Sequence, residues 1–148
     1  MDNLTKSARS KRMSLIRGQN TKPELLVRQL LYKVGYRYRI NAKNFPGKPD
    51  LLLPKYRTAI FIHGCFWHGH ECHIGHIPKS NIKFWQDKIT SNKNRDTRRI
   101  TELNSEGWRV LTIWECSLLG KTKFEPLQML SRIEAFLEAK NIQNDSIG

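Results

Sequence analysis

The sequence predicts an α/β fold: a small mixed sheet flanked by helices on its two faces. Three observations lead there. Apolar residues recur at helical spacing in Leu25–Val34, Ile82–Leu103 and Leu127–Leu137. Short apolar runs of strand length lie at Asp50–Leu53, Thr58–His63 and Trp108–Trp114. Along the chain they read helix, hairpin, helix, strand, helix, a pattern that layers helices on a sheet.

Each element has local reasons. Ser7–Arg17 reads as a short basic helix anchored by Met13 and Ile16 and stopped by Gly18. Thr21-Lys22-Pro23-Glu24 starts the next helix: Thr caps, Pro sits in the first turn, and Glu completes a capping box. Leu25, Leu26, Leu30, Leu31 and Val34 continue it to Gly35. Tyr36–Ile40 alternates aromatic or apolar residues with Arg, which predicts a half-wet strand. Pro54-Lys55-Tyr56-Arg57 joins the hairpin, and Ala59–Ile62 is apolar enough to be covered on both faces. Gly64–Ser80 has no periodicity and is expected to be a loop. Asn81 is positioned to cap a helix that breaks near Ser91-Asn92 and resumes to Gly107. Trp108–Trp114 is a buried strand, Pro126–Lys140 a last helix, and 141–148 a flexible tail.

At 148 residues the chain is one domain's worth, and no apolar run is long enough for a bilayer. No signal peptide is visible, so a cytoplasmic, intracellular protein without a membrane partner is expected. The charge is +13, with ten Lys or Arg against one acid between Lys6 and Arg39 and seven more from Lys79 to Arg99. Such a field favours phosphate backbones, and residues 1–20 form a basic segment suited to DNA. Three cysteines do not make a disulfide framework.

The chemistry concentrates in His63-Gly64-Cys65-Phe66-Trp67-His68-Gly69-His70-Glu71-Cys72, which holds three of the five histidines and two of the three cysteines. Cys65, His70 and Cys72, with Cys116 at the end of a neighbouring strand, make a closed Cys3His set of the structural zinc type. His73 and His76 compete for the histidine position, and three buried free thiols are the alternative. His63 and His68 are left for other work. The four-residue connection puts Leu53 near Thr58, so Asp50 falls opposite Phe61 or Ile62, and one residue of register decides whether His63 shares its face. Asp50, with His63 and Glu24 nearby, can hold Mg²⁺, which takes one or two carboxylates and substrate phosphate oxygens. His68 or His63 can then move a proton. Asp50 as a turn cap and Glu24 as a helix cap are the alternatives. Phe66, Trp67 and Trp85 either pack in the core or wedge between base pairs.

These residues resemble the very-short-patch-repair (Vsr) DNA mismatch endonucleases. The resemblance is carried by Phe45–Asp50, Ile60–Cys72, Phe84-Trp85 with Lys88-Ile89, Asn94-Arg95-Asp96 and Gly107–Cys116, and by Thr5–Met13; it covers about residues 5 to 140. It implies a restriction-endonuclease-like core that nicks one strand, with Mg²⁺, on the 5′ side of the mispaired thymine in a T:G mismatch. It implies that Asp50 binds the metal, with the Ile62 carbonyl beside it, and that His68 acts on water or the leaving group. Glu24, His63 and Asp96 are then supporting active-site residues. Cys65, His70, Cys72 and Cys116 match structural zinc ligands, and Phe66, Trp67 and Trp85 match aromatics entering the stack beside the mismatch. Lys88, Arg9, Lys11 and Arg12 are assigned to DNA. The family has threonine where this chain has Ile62. A restriction-linked nuclease with another DNA target, or a non-catalytic zinc-stapled DNA-binding module, is the alternative function. Repair-pathway proteins are expected partners.

Overall fold

The computed structural model describes residues 20–148; the expected helix over Ser7–Arg17, with Arg9, Lys11 and Arg12, lies outside them. Helix α1 spans Lys22–Lys33 and strand β1 Leu51–Leu53. Strand β2 runs Thr58–His63, helix α2 Ile82–Ser105 and strand β3 Arg109–Trp114. Helix α3, Pro126–Glu138, and strand β4, Asn144–Ile147, complete the order. The sheet is ordered β1-β2-β3-β4, with β1 antiparallel to β2 and the other two pairs parallel. A parallel neighbour needs a crossover, and α2 supplies it between β2 and β3.

Strand alternation sorts the apolar residues onto two faces. Leu51, Leu53, Ile60, Leu111 and Ile113 meet Val27 and Leu31 of α1 and Met129, Ile133 and Phe136 of α3. Leu52, Ala59, Phe61 and Val110 point the other way, against Leu103 of α2 and Trp108. Each such side chain, taken out of water, contributes roughly 1.5–3 kcal/mol before chain entropy is charged against it. The near-continuous burial of β2 follows from helices on both sides.

The hairpin register is Leu53↔Thr58 and Leu51↔Ile60. Extended by one pair, Asp50 opposes Phe61, so Asp50, Phe61 and His63 share the α2 face. Thr21 caps α1 as expected: its Oγ1 accepts from the Glu24 N–H at 3.5 Å, while Glu24 Oε2 accepts from the Asn20 N–H at 3.0 Å. The box thus reaches one residue further back than its usual form.

Four expectations are corrected. Tyr36–Ile40 is not a strand; only Arg39 bridges Leu52, because Tyr36 and Tyr38 are drawn onto the α1–α3 core and Asn41, at φ 58°, turns the chain away. Helix α2 runs unbroken through Ser91-Asn92. Asn92 does not compete with the helix backbone, since its amide donates to the Trp67 carbonyl at 2.8 Å. Asn81 precedes α2 in a left-handed conformation (φ 56°) and its side chain makes no capping bond. Residues 144–147 form an edge strand where the sequence predicts a flexible tail. Its Asn-Asp-Ser run is exposed and shows no apolar alternation; backbone pairing to β3 and the buried Ile147 hold it.

Candidate active site and metal centre

Beyond His63 the chain leaves the sheet and winds through turns to Ser80, with no further strand and no helix until α2 begins. What replaces secondary structure is a knot of soft ligands. One ligand atom from each of Cys65, His70, Cys72 and Cys116 lies within 4.8 Å of all the others. Tetrahedral zinc with bonds of ~2.3 Å to sulfur requires ligand separations of about 3.8 Å, so the set fits such an ion with small adjustment. His70 Nδ1 is 3.6 Å from Cys116 Sγ, and the Cys116 N–H donates to Cys65 Sγ at 3.4 Å. Burial pushes the Cys65 and Cys116 thiols up, and a divalent cation would draw all three thiols to thiolate. His70, not His73 or His76, joins the cysteines. The turn closes so tightly that a Cβ on Gly75 would collide with the His70 carbonyl oxygen, which only glycine avoids.

The knot fixes the loop's other side chains against the sheet. A cavity of about 1080 Å³ is walled in part by residues of both α1 and α2; Glu24, Arg28, Asp50, His63, His68 and Asp96 are among its walls. Asp50 Oδ2 accepts the Ile62 N–H at 2.7 Å, which locks the carboxylate across the hairpin mouth. Burial raises its pKa to about 7; the Ile62 N–H opposes the rise and the Glu24 carboxylate adds to it. A carboxylate so poised gains most when a cation neutralises it, and its hard oxygens suit Mg²⁺. Glu24 is 4% exposed, so its carboxyl group is also held largely out of water.

His68 Nδ1 lies 2.6 Å from Asp96 Oδ2. Asp96 sits one turn beyond Asn92 on α2, so the helix grips the loop at both Trp67 and His68. His63 stacks under His68 with centroids 3.8 Å apart and planes 2° from parallel. Burial, then the neighbouring His68, lowers His63 to about 4, so it is a neutral ring at physiological pH. Its Nδ1 is buried without a partner among the described residues, an open polar position at the cavity. Trp114 joins the two sites: it stacks on His70 at 4.2 Å and presents an edge to His63 at 5.3 Å.

Phe66, Trp67 and Trp85 meet edge to face, with centroids 5.0–6.0 Å apart, and all three are half-buried. Phe66 and Trp67 line the cavity and Trp85 packs behind them; none of the three belongs to either core. Lys88 lies on the exposed side of α2, away from the cavity lining. Arg28, Glu115 and Trp114 escaped the sequence reading of the site. Glu115 accepts the Cys65 N–H at 3.3 Å and lines the cavity. Arg28 was findable, since it stands one helical turn after Glu24.

A buried carboxylate and a histidine–aspartate pair thus face one cavity beside a cysteine-rich knot, on a mixed sheet flanked by helices. Comparison with known proteins identifies the family. A family profile described as DNA mismatch endonuclease Vsr matches residues 1–74. The chain is 39% identical over 145 residues to the DNA mismatch endonuclease Vsr of Escherichia coli K12, covering 97% of this chain and 93% of that one. It is 53% identical over 120 residues to the Type II nicking enzyme V.NmeAIP of Neisseria meningitidis serogroup A, covering 81% and 86%. It is 47% identical over 117 residues to the Type II nicking enzyme V.XorIIP of Xanthomonas oryzae, covering 79% and 86%. The chain belongs to the Vsr family of DNA endonucleases. Among the described residues, no helix is long and apolar enough to cross a membrane.

Proposed function

We propose that this endonuclease requires Mg²⁺ and nicks one strand of duplex DNA on the 5′ side of the mispaired thymine in T:G mismatches, opening very short patch repair in the cytoplasm. The observation that carries the reading is one cavity walled by Asp50, His68 and Asp96, with Phe66 and Trp67 also in its lining. A phosphodiester seated there lies beside both a cation-binding carboxylate and a proton-transfer group, within reach of side chains suited to unstacking bases.

Asp50 and the Ile62 carbonyl are the groups that would hold Mg²⁺, which would polarise the phosphodiester and stabilise charge on the leaving oxygen. Asp96 accepts the Nδ1–H of His68 and so leaves Nε2 as the working nitrogen. His68 Nε2 takes a proton from water or returns one to the leaving oxygen. Neutral His63 supports the ring from beneath without adding a competing charge. Glu24 sets the negative field around Asp50. Cys65, His70, Cys72 and Cys116 would hold Zn²⁺, which would pin the loop that carries Phe66, Trp67 and His68. Phe66, Trp67 and Trp85 enter the stack at the mismatch; Lys88, Arg9, Lys11 and Arg12 take DNA contacts.

Purified protein is tested on labelled T:G and T:A duplexes, with Mg²⁺ or EDTA. Nicking confined to the T:G duplex with Mg²⁺ is expected, and Asp50→Ala loses it while keeping its fold and DNA affinity. Equal cleavage of T:A points to the restriction-linked alternative. Cleavage retained by Asp50→Ala removes that residue from the mechanism.

A further inference from the structure

Glu24 is an almost fully buried carboxylate in a cavity that already holds Asp50. Two carboxylates sharing a buried cavity need donors to satisfy and aim their oxygens. One such donor comes from a residue outside the expected site. Arg28 follows Glu24 by one helical turn, and its Nη2 lies 3.2 Å from Glu24 Oε2. The acid precedes the base at i,i+4, the favourable order on a helix. Arg28 Nη1 donates to the Asn20 side-chain oxygen at 2.8 Å, which fixes the plane of the guanidinium.

Counting lone pairs shows what this achieves. Glu24 Oε2 receives both the Arg28 Nη2–H and the Asn20 N–H, and two donors fill a carboxylate oxygen. Oε1 receives only the Thr21 hydroxyl, at 3.2 Å, and keeps a lone pair. On Asp50 the Ile62 N–H takes one lone pair of Oδ2 and leaves Oδ1 free. Each carboxylate therefore keeps at least one oxygen with a lone pair for a hard cation or its water.

We propose that Arg28 is a positioning residue of the cation site: by filling one oxygen of the buried Glu24 it turns the other toward the ion that Asp50 binds. The proposal rests on Asp50 as the cation's carboxylate. It makes a prediction opposite in sign to plain electrostatics. A cation standing idle beside Mg²⁺ would repel it, and removing that charge would tighten metal binding. If Arg28 orients Glu24, removing it loosens binding instead.

The experiment is Mn²⁺ titration of the full chain without DNA, by calorimetry or by loss of the free-ion EPR signal, for wild type, Asp50→Asn, Arg28→Gln, Glu24→Gln and the Glu24→Gln/Arg28→Gln double variant. Zinc content is checked in each so that the cysteine knot is constant. Arg28→Gln is expected to raise the Mn²⁺ Kd about tenfold, the usual scale for a group acting through a ligand. The double variant, which buries no unpaired charge and so covers the case in which Arg28→Gln does not fold, is expected to match Glu24→Gln. An unchanged or tighter Kd in Arg28→Gln overturns the proposal, as does a double variant weaker than Glu24→Gln. Mn²⁺ binding that Asp50→Asn leaves intact overturns the cation site itself, a failure distinct from that of Arg28 alone.

Discussion

Replacing Asp96 by Asn tests how the histidine is aimed. The 2.6 Å contact between Asp96 Oδ2 and His68 Nδ1 joins two side chains that are each 22% exposed, so water screens it only in part. Hydrogen bonds to charged groups contribute ~1.5–3 kcal/mol. At ~1.36 kcal/mol per tenfold in rate, losing that bond slows the chemical step about 10- to 150-fold. Asparagine adds a second effect, because its amide can donate to Nδ1 and favour the tautomer that carries hydrogen on Nε2. That tautomer cannot accept a proton from water at the working position, so the upper end of the range is expected. The assay is single-turnover nicking of a T:G duplex with enzyme in excess, so that binding and product release do not enter. DNA affinity measured with Ca²⁺ in place of Mg²⁺ should stay within about twofold. A rate within about threefold of wild type would refute the orienting role of Asp96 and leave His68 without its defined tautomer.

The remaining predictions concern protonation, the aromatic cluster and the knot. In EDTA, Asp50 (raised to about 7 against an ordinary 3.8) keeps a proton in the folded state that the unfolded chain releases, so its contribution to stability falls as pH rises between those values. His63, lowered to about 4 against 6.5, works in the opposite sense, because there the unfolded chain holds the extra proton. The two nearly cancel in the parent, and Asp50→Asn leaves the histidine alone. The Tm difference between Asp50→Asn and parent should therefore climb from about pH 4 to about pH 7; a flat difference contradicts a buried carboxylate. At limiting Mg²⁺, nicking should fall below about pH 7 and the inflection should move to lower pH as Mg²⁺ is raised, which a fixed inflection would contradict. Phe66→Ala and Trp67→Ala should reduce the preference for T:G over T:A duplexes more than total DNA affinity, and equal losses would argue against insertion. Cys116→Ser should lose the bound metal, measured by elemental analysis, and render residues 64–80 sensitive to protease; full metal content would remove Cys116 from the ligand set.

Much of the molecule is legible in the residue order. The capping box at Thr21–Glu24, the hairpin around Pro54–Arg57 and the strand at 109–114 are local events, set by side chains a few positions apart. The cysteine and histidine spacing likewise announces a knot, since thiolates crowd a loop for few other reasons. Legibility fails where a segment is held by something distant. Strand β4 has no apolar alternation to display because it pairs through its backbone. Tyr36 and Tyr38 do alternate, yet both pack on the core shared by α1 and α3, where Tyr36 donates to Glu134, 98 residues on.

The sequence by itself determined the class of fold, the cysteines of the knot and the residue types of the site, because periodicity and ligand chemistry are properties of the chain. Only the tertiary structure decided that Asp50 and His63 share a face, that Asp96 rather than another acid meets His68, and that His70 rather than His73 or His76 joins the cysteines. The physical reason is that strand register and the rotation of α2 against the loop are fixed by packing between elements far apart in the chain. A shift of one residue in either would separate the same side chains.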